Sequence, residues 1–229
     1  MTNMEWDDLY KDKSFRLRGP NDEAVVFAHY LDKVKPAPSV LDVGFGAGRH
    51  IVYLAEKGYP TYGIDISQRG MDFTNRWLSD EGLSAELRLA DMTNLPFDDG
   101  FFGAALSIGV ITHAPIEDIR RALAEMARVL KPGGLFLCTF ISTESSLLGK
   151  GERLDDSTWI CDDESESGVI HHFMTGDEVL AEVSHYFEPA RLPAVKHVRH
   201  GGEIDTGRPY VSAHWIYLGR RKDAAVGAK

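Results

Sequence analysis

Three aspartates, three glycines and one histidine carry the chemical content of this sequence. Asp42 precedes an alternating glycine series, Gly44, Gly46 and Gly48, and it follows the short apolar run Val40-Leu41. Glycine at these positions admits positive φ and lets a ligand approach the backbone with no Cβ in the way. An acid just ahead of the turn repels a pyrophosphate but suits a cationic ligand. Asp65 closes a second apolar run, Thr61-Tyr62-Gly63-Ile64, and Ile66 follows it. A carboxylate at the end of the second strand of a nucleotide-binding unit binds ribose hydroxyls. Asp91, followed by Met92, closes a third run that begins at Leu87. His113 stands just past a fourth, Ala104 to Val110. Histidine there offers a proton acceptor tunable near neutrality; the structural alternative is a ring that satisfies the following helix N-terminus.

These groups need elements to hold them. Val40 to Val43 reads as a buried parallel strand, and Ile51, Val52, Leu54 and Ala55 read as the helix after the glycine turn. Asn21 is placed to cap an earlier helix with Ala24, Val25, Phe27, Ala28, Leu31 and Val34 on its apolar face, and Ser67 to cap a helix after the second strand. A helix with Ile116, Ile119, Ala122, Leu123, Met126 and Leu130 on one face stops at Lys131-Pro132-Gly133-Gly134, ahead of a fifth strand, Leu135 to Phe140. Strand and helix alternate, and each chemical group ends a strand. That is a doubly wound α/β sheet read at its switch point.

The glycine spacing separates two ligand classes. A dinucleotide fingerprint, G-x-G-x-x-G, places its third glycine where this chain has Arg49. The D-x-G-x-G-x-G written here instead resembles motif I of the class I S-adenosylmethionine-dependent methyltransferases. The stretch L-P-F-D-D-G-F-F-G is similar to that family's L-P-F-x-D-x-x-F-D loop, with Gly103 where an aspartate is usual. The string A-L-A-E-M-A-R-V-L-K-P-G-G-L-F resembles the helix and turn after its active-site loop. The run G-R-H-I-V-Y-L-A-E-K-G-Y and later segments look like the type-11 and tellurite-resistance branch.

The resemblance implies a Rossmann-like seven-stranded sheet, mostly parallel with an antiparallel C-terminal hairpin, and helices on both faces. Tyr186 to Val198 and Tyr210 to Gly219 are the expected hairpin strands. It implies S-adenosylmethionine as cofactor, held by Asp42, Gly44, Phe45, Gly46, Gly48, Asp65, Ile66, Asp91, Met92, Ser107 and Ile108, with Asp91 on the adenine amino group. It makes His113 the candidate base or acceptor-orienting group. Arg49 and His50 are further candidates to reach the cofactor carboxylate or the acceptor, or they form an exposed basic pair. Trp6, Tyr10, Trp159, His214 and Trp215 are candidate pocket walls.

Residues 1–229 read as one domain, with residues 1–20 as an N-terminal arm or short helix. Residues 142–172 break the alternation with Asp155, Asp156, Asp162, Asp163, Glu164 and Glu166, and read either as an acceptor-side lid or as a solvated acidic loop. His171, His172 and Trp159 lie there as candidate acceptor contacts. Adjacent histidines on an extended segment face opposite ways, so one of the two is expected to line a pocket. The tail from Asp223 reads as disordered.

Composition narrows the partners. The chain has 43% hydrophobic residues and a formal net charge of -10. That balance disfavours a nucleic-acid substrate, which calls for a basic face. A D/N-P-P-Y/F tetrapeptide after the fourth strand is missing, and so is a cysteine in that loop, which disfavours DNA-base methylation. Cys138 and Cys161 give neither a disulfide framework nor a metal spacing, and Cys138, inside an apolar run, reads as a buried inert thiol. No metal is expected. With no signal segment and no apolar run of membrane length, the expectation is a cytoplasmic protein acting on a small-molecule methyl acceptor. The runner-up is a tRNA wobble-uridine methyltransferase; from another class comes a non-catalytic cofactor-binding or regulatory protein.

Overall fold

The computed structural model describes residues 3–11, 16–162, 167–191, 195–203 and 209–223. A short helix α1 (Asn3–Leu9) and helix α2 (Asp22–Leu31) precede β1 (Val40–Val43). Then come α3 (Arg49–Glu56), β2 (Thr61–Asp65), α4 (Gln68–Asp80), β3 (Glu86–Leu89), β4 (Phe102–Ser107), α5 (Ile116–Val129) and β5 (Leu130–Ile141). Three short strands follow, β6 (Glu152–Arg153), β7 (Thr158–Ile160) and β8 (Ile170–His172). The chain continues through α6 (Gly176–Val183), β9 (Phe187–Pro189), β10 (Val195–Glu203) and β11 (Pro209–Arg221).

The main sheet runs β10-β11-β5-β4-β1-β2-β3. The five strands from β3 to β5 are parallel, and β11 enters antiparallel between β5 and β10. Strand order reverses at β1, which has β2 on one side and β4 on the other, so the crevice at their carboxyl ends is the ligand position of an open α/β sheet. Alternate residues of one strand feed opposite faces: Phe136 and Cys138 pack with Ile119, Leu123 and Met126 of α5, whereas Leu135 and Leu137 pack with Phe27 and Leu31 of α2. The Cys138 thiol is fully buried and its pKa is pushed up by that burial.

The expected architecture is present with local differences. The segment expected as one strand from Tyr186 to Val198 is two, β9 and β10, each paired antiparallel with β11. The first piece, β9, pairs with Gly219–Arg221 and adds an eighth strand to the seven expected. Strand β5 starts at Leu130 and absorbs the Lys131-Gly134 turn as a register shift against β4. Val25 lies on the solvent side of α2, 43% exposed, and not on its apolar face. Asn21 precedes α2 without a side-chain capping bond, its oxygen being engaged by His50. Ser67 does cap α4, accepting from the Gly70 amide at 2.9 Å. Gly103 is explained by packing: a Cβ there would lie 2.6 Å from Cβ of Pro38, so the usual aspartate has no room.

The acid-rich stretch carries its own small antiparallel sheet, β6-β7-β8. Trp159, Cys161 and Phe173 pack there against Ile141 and Leu147. Asp163, Glu164 and Glu166, residues 204–208 and residues 224–229 lie outside the described residues. Among the described residues, no helix is long and apolar enough to cross a membrane.

Candidate functional site

The turn after β1 is built by glycine and fastened by one carboxylate. Gly44, Gly46 and Gly48 have φ of 80°, 55° and 87°. These left-handed values strain any residue with a Cβ. Asp65, at the end of β2, accepts the Gly46 amide hydrogen on Oδ2 at 2.7 Å and the Ser67 amide hydrogen on Oδ1 at 2.8 Å. Burial raises its pKa while these amide bonds work against the rise. From the other side, the Thr74 hydroxyl donates to the Gly46 carbonyl at 3.3 Å, and α4 approaches so closely that a Cβ on Gly70 would sit 2.6 Å from that oxygen.

Beneath the turn lies Asp42, 1% exposed, with no hydrogen-bond partner on either carboxylate oxygen among the described residues. Its nearest cationisable neighbour is His50, whose Nδ1 is 3.9 Å from Oδ2. The His50 ring is held from behind by Nε2 against Oδ1 of Asn21 at 3.0 Å. Burial, reinforced by the Asp65 charge and opposed by Arg49, pushes Asp42 up to about 8. Burial and the neighbouring Arg49 drive His50 down to about 3, so the ring is neutral at physiological pH. A buried carboxylate without a donor is a costly arrangement, relieved when a cationic group arrives.

The N-terminal helix closes this end. Asp7 Oδ1 accepts from the Ser67 hydroxyl at 2.5 Å and from the Arg69 amide at 3.0 Å, which ties α1 to the start of α4. That tie sets Tyr10 against the turn: a Cβ on Gly46 would fall 2.2 Å from the Tyr10 hydroxyl oxygen. Burial raises the Tyr10 phenol pKa, with the charges of Asp65 and Asp42 adding to it. Trp6, one turn earlier, meets His113 edge to face with ring centroids 5.2 Å apart.

A cavity of about 470 Å³ joins these parts. Its cofactor end is lined by Gly44, Phe45, Gly46, Asp65, Ile66, Asp91, Met92 and Ile108, and its other end by Thr112, His113, Ser145, His171, Ser212 and His214. Asp91 is exposed, and its Oδ1 is engaged by the amide and hydroxyl of Thr93. The His113 ring packs at 84° to that of His171, centroids 4.7 Å apart, and its Nδ1 lies 3.2 Å from the Ile170 carbonyl. A carbonyl can only accept, so Nδ1 is the donor of that bond. Trp6, Tyr10, Arg49 and His50 also line the cavity.

Other expected residues lie off it. Asp42 sits below the turn, Gly48 forms the N-cap of α3, and the Ser107 hydroxyl donates to the Val43 carbonyl at 3.1 Å inside the sheet. The histidines of β8 point apart: His171 lines the cavity, whereas His172 turns to the Thr158 hydroxyl at 2.8 Å. Trp159 packs in the small sheet, and Trp215 stacks on His197 and donates to the Met174 carbonyl. Asp7, Leu17 and the Asn21–His50 contact belong to the site although nothing in their local sequence marks them. Among the described residues, no group of three metal-ligating side chains is placed to hold an ion.

Residues 41–138 match the family model described as a methyltransferase domain. The chain is 35% identical over 140 residues to a sterol 24-C-methyltransferase of Gibberella zeae, covering 56% of this chain and 36% of that protein. It is 35% identical over 127 residues to a tRNA (carboxymethyluridine(34)-5-O)-methyltransferase of Arabidopsis thaliana, covering 54% and 30%. A crystal structure of a SAM-dependent methyltransferase from Methanosarcina mazei superposes with a TM-score of 0.69 at 20% identity, covering 86% of this chain and 98% of that one. The chain spans a third to just under half of the length of the first curated relatives it matches. With the strand order and the glycine turn, these likenesses support a class I S-adenosylmethionine-dependent methyltransferase domain over residues 41–138.

Proposed function

We propose that this protein catalyses methyl transfer from S-adenosylmethionine to a small-molecule acceptor, with His113 as the proton acceptor. The observation that carries this reading is the single cavity that runs from Asp65 and Asp91, past the glycine turn, to His113 and His171. Its volume suits a small-molecule site. The residues present fit the cofactor. Asp42 offers a buried carboxylate without a donor, which a cation above the turn would stabilise. Asp65 keeps second lone pairs on both oxygens for ribose hydroxyls after its two amide bonds. Asp91 and Met92, which line the cavity, are the residues proposed to hold the adenine, Met92 as an apolar wall.

The bound cofactor supplies an electrophilic methyl on a sulfonium, which an acceptor lone pair displaces in line. The chain's part is alignment and exclusion of water. Trp6 and Tyr10 wall the cavity from the N-terminal arm, and Ser145, Leu147 and His171 wall it from the stretch read as the acceptor-side lid. An oxygen or nitrogen acceptor also loses a proton, and Nε2 of His113 is the group proposed to take it. A macromolecular acceptor is the second reading, because curated relatives include tRNA methyltransferases; the net charge of -10 speaks against it.

The test is transfer of label from methyl-labelled S-adenosylmethionine, run in parallel with a small-metabolite extract and with bulk tRNA. Labelled small product from wild type, and none from His113→Ala, supports the proposal. Label in the tRNA arm alone overturns the acceptor class.

A further inference from the structure

Outside the cofactor cavity, past the chain segment 16–18, lies a second cavity of about 340 Å³. Three arginines line it, Arg16 and Arg18 from that segment and Arg76 from α4, together with Phe73, Trp77 and a single acid, Asp80. Three cations gathered in a chain of net charge -10 call for an explanation. The rings hold the guanidiniums. Arg16 lies over Phe73 at 4.0 Å from the ring centroid, Arg76 approaches the same ring at 5.8 Å, and Arg18 lies 5.0 Å over Trp77. Stacking by the face leaves the N–H fork at the edge free to donate.

Where those forks point is informative. Arg16 donates to the carbonyls of Tyr10 and Lys11. Arg18 and Arg76 make no hydrogen bond or ion pair among the described residues. Arg76 has an aspartate one turn away on each side, Asp72 and Asp80, at the spacing that favours helix ion pairs. It pairs with neither. Asp72 takes its hydrogen bond from Gln68 at 2.8 Å, and Arg76 gathers with like charges. We infer that this cavity is a binding site for the phosphate group of a small molecule. Planar guanidinium forks match a tetrahedral oxyanion, which offers enough oxygens for more than one arginine. Asp72 and Asp80 bracket the cluster along α4 and interrupt any basic stripe, which disfavours a polymeric backbone.

The site is joined to the first cavity. Leu17, between Arg16 and Arg18, lines the cofactor cavity, and Arg16 grips the carbonyl of Tyr10, whose hydroxyl sits against Gly46. A phosphate held by Arg18 and Arg76 fixes a segment whose other face closes the cofactor site, so the two ligands stabilise each other's binding.

The experiment titrates inorganic pyrophosphate into the cofactor-free protein by calorimetry, with a single-stranded RNA oligonucleotide as the second arm. The outcome is thereby separate from that of the methyl-transfer reading. Saturable one-to-one pyrophosphate binding, weakened about tenfold or more by Arg18→Gln and by Arg76→Gln, is expected. Both side chains are exposed, so the variants keep the fold. A repeat titration of S-adenosylhomocysteine with saturating pyrophosphate is expected to show a several-fold tighter complex in wild type and no change in Arg76→Gln. Absent pyrophosphate binding, or equal affinity in the variants, overturns the site. RNA bound more tightly than pyrophosphate, with a steep salt dependence, overturns the small-molecule assignment. Unchanged S-adenosylhomocysteine affinity overturns the coupling.

Discussion

Asp65 accepts the amide hydrogen of Gly46 at 2.7 Å, and this bond makes the carboxylate both the fastener of the glycine turn and a wall of the cofactor cavity. Removing it therefore acts twice. Asp65→Ala leaves the Gly46 and Ser67 amides without their acceptor and takes away the ribose contact. Cofactor affinity is expected to fall by roughly 1.5–3 kcal/mol, about ten- to a hundredfold. Calorimetry with S-adenosylhomocysteine measures this. Unchanged affinity would show that the ribose does not sit on Asp65.

Asp42 makes the site pH-sensitive. Its pKa stands at about 8 in the fold against an ordinary value of 3.8. The folded protein thus holds a proton that the unfolded chain releases from about pH 4 upward, and the stability from this group is lost as pH rises toward 8. Asp42→Asn removes that loss, so the stability of the variant relative to wild type is expected to increase between pH 5 and pH 8 in thermal melts. A bound cation favours the ionised carboxylate, so cofactor binding at pH 7 is expected to release a proton in wild type and none in Asp42→Asn. Titrations in buffers of different ionisation enthalpy read that proton.

The clasp between Asp7 and α4 positions Tyr10 and Trp6. Asp7→Ala removes the acceptor for the Ser67 hydroxyl and the Arg69 amide. A stability loss of about 0.5–1 kcal/mol is expected, the scale of a helix-cap bond, together with a several-fold rise in KM for the cofactor. A change in Tm without a change in KM would reduce α1 to a purely structural element. The Asp7 pKa is lowered by its bonds to Ser67 and Arg69, against the desolvation that opposes them. Its contribution is thus present above the ordinary carboxylate range and is lost as pH falls through its lowered value.

His113 lines the same cavity as the cofactor residues. His113→Ala is expected to lower kcat by about a hundred- to ten-thousandfold, the range of general-base catalysis, with cofactor affinity retained. Equal losses in kcat and in cofactor affinity would assign the ring to cofactor binding.

Much of this was legible in the sequence, for local reasons. Asp42, Asp65 and Asp91 are each written at or just past the end of an apolar run, and alternating glycines leave few conformations for the turn between them. The doubly wound sheet followed from the alternation of strand and helix. What escaped depends on long-range packing. Asp7 meets Ser67 across 60 residues, and Asn21 meets His50 across 29. Nothing local distinguishes Asn21 as a histidine anchor from Asn21 as a helix cap. Ser107 has the right position to meet a ligand, but its hydroxyl is consumed by the Val43 carbonyl. The acidic stretch hid a small sheet because its strands are two or three residues long, too short for alternation to register.

The central claim is that the glycine turn and its aspartates bind a sulfonium nucleoside. Calorimetric titration of the protein with S-adenosylmethionine, S-adenosylhomocysteine and NADH tests it most directly. Saturable binding of both adenosyl ligands with Kd of about micromolar order, and no binding of NADH, is predicted. Absence of S-adenosylmethionine binding at millimolar concentration, or preference for NADH, would contradict it.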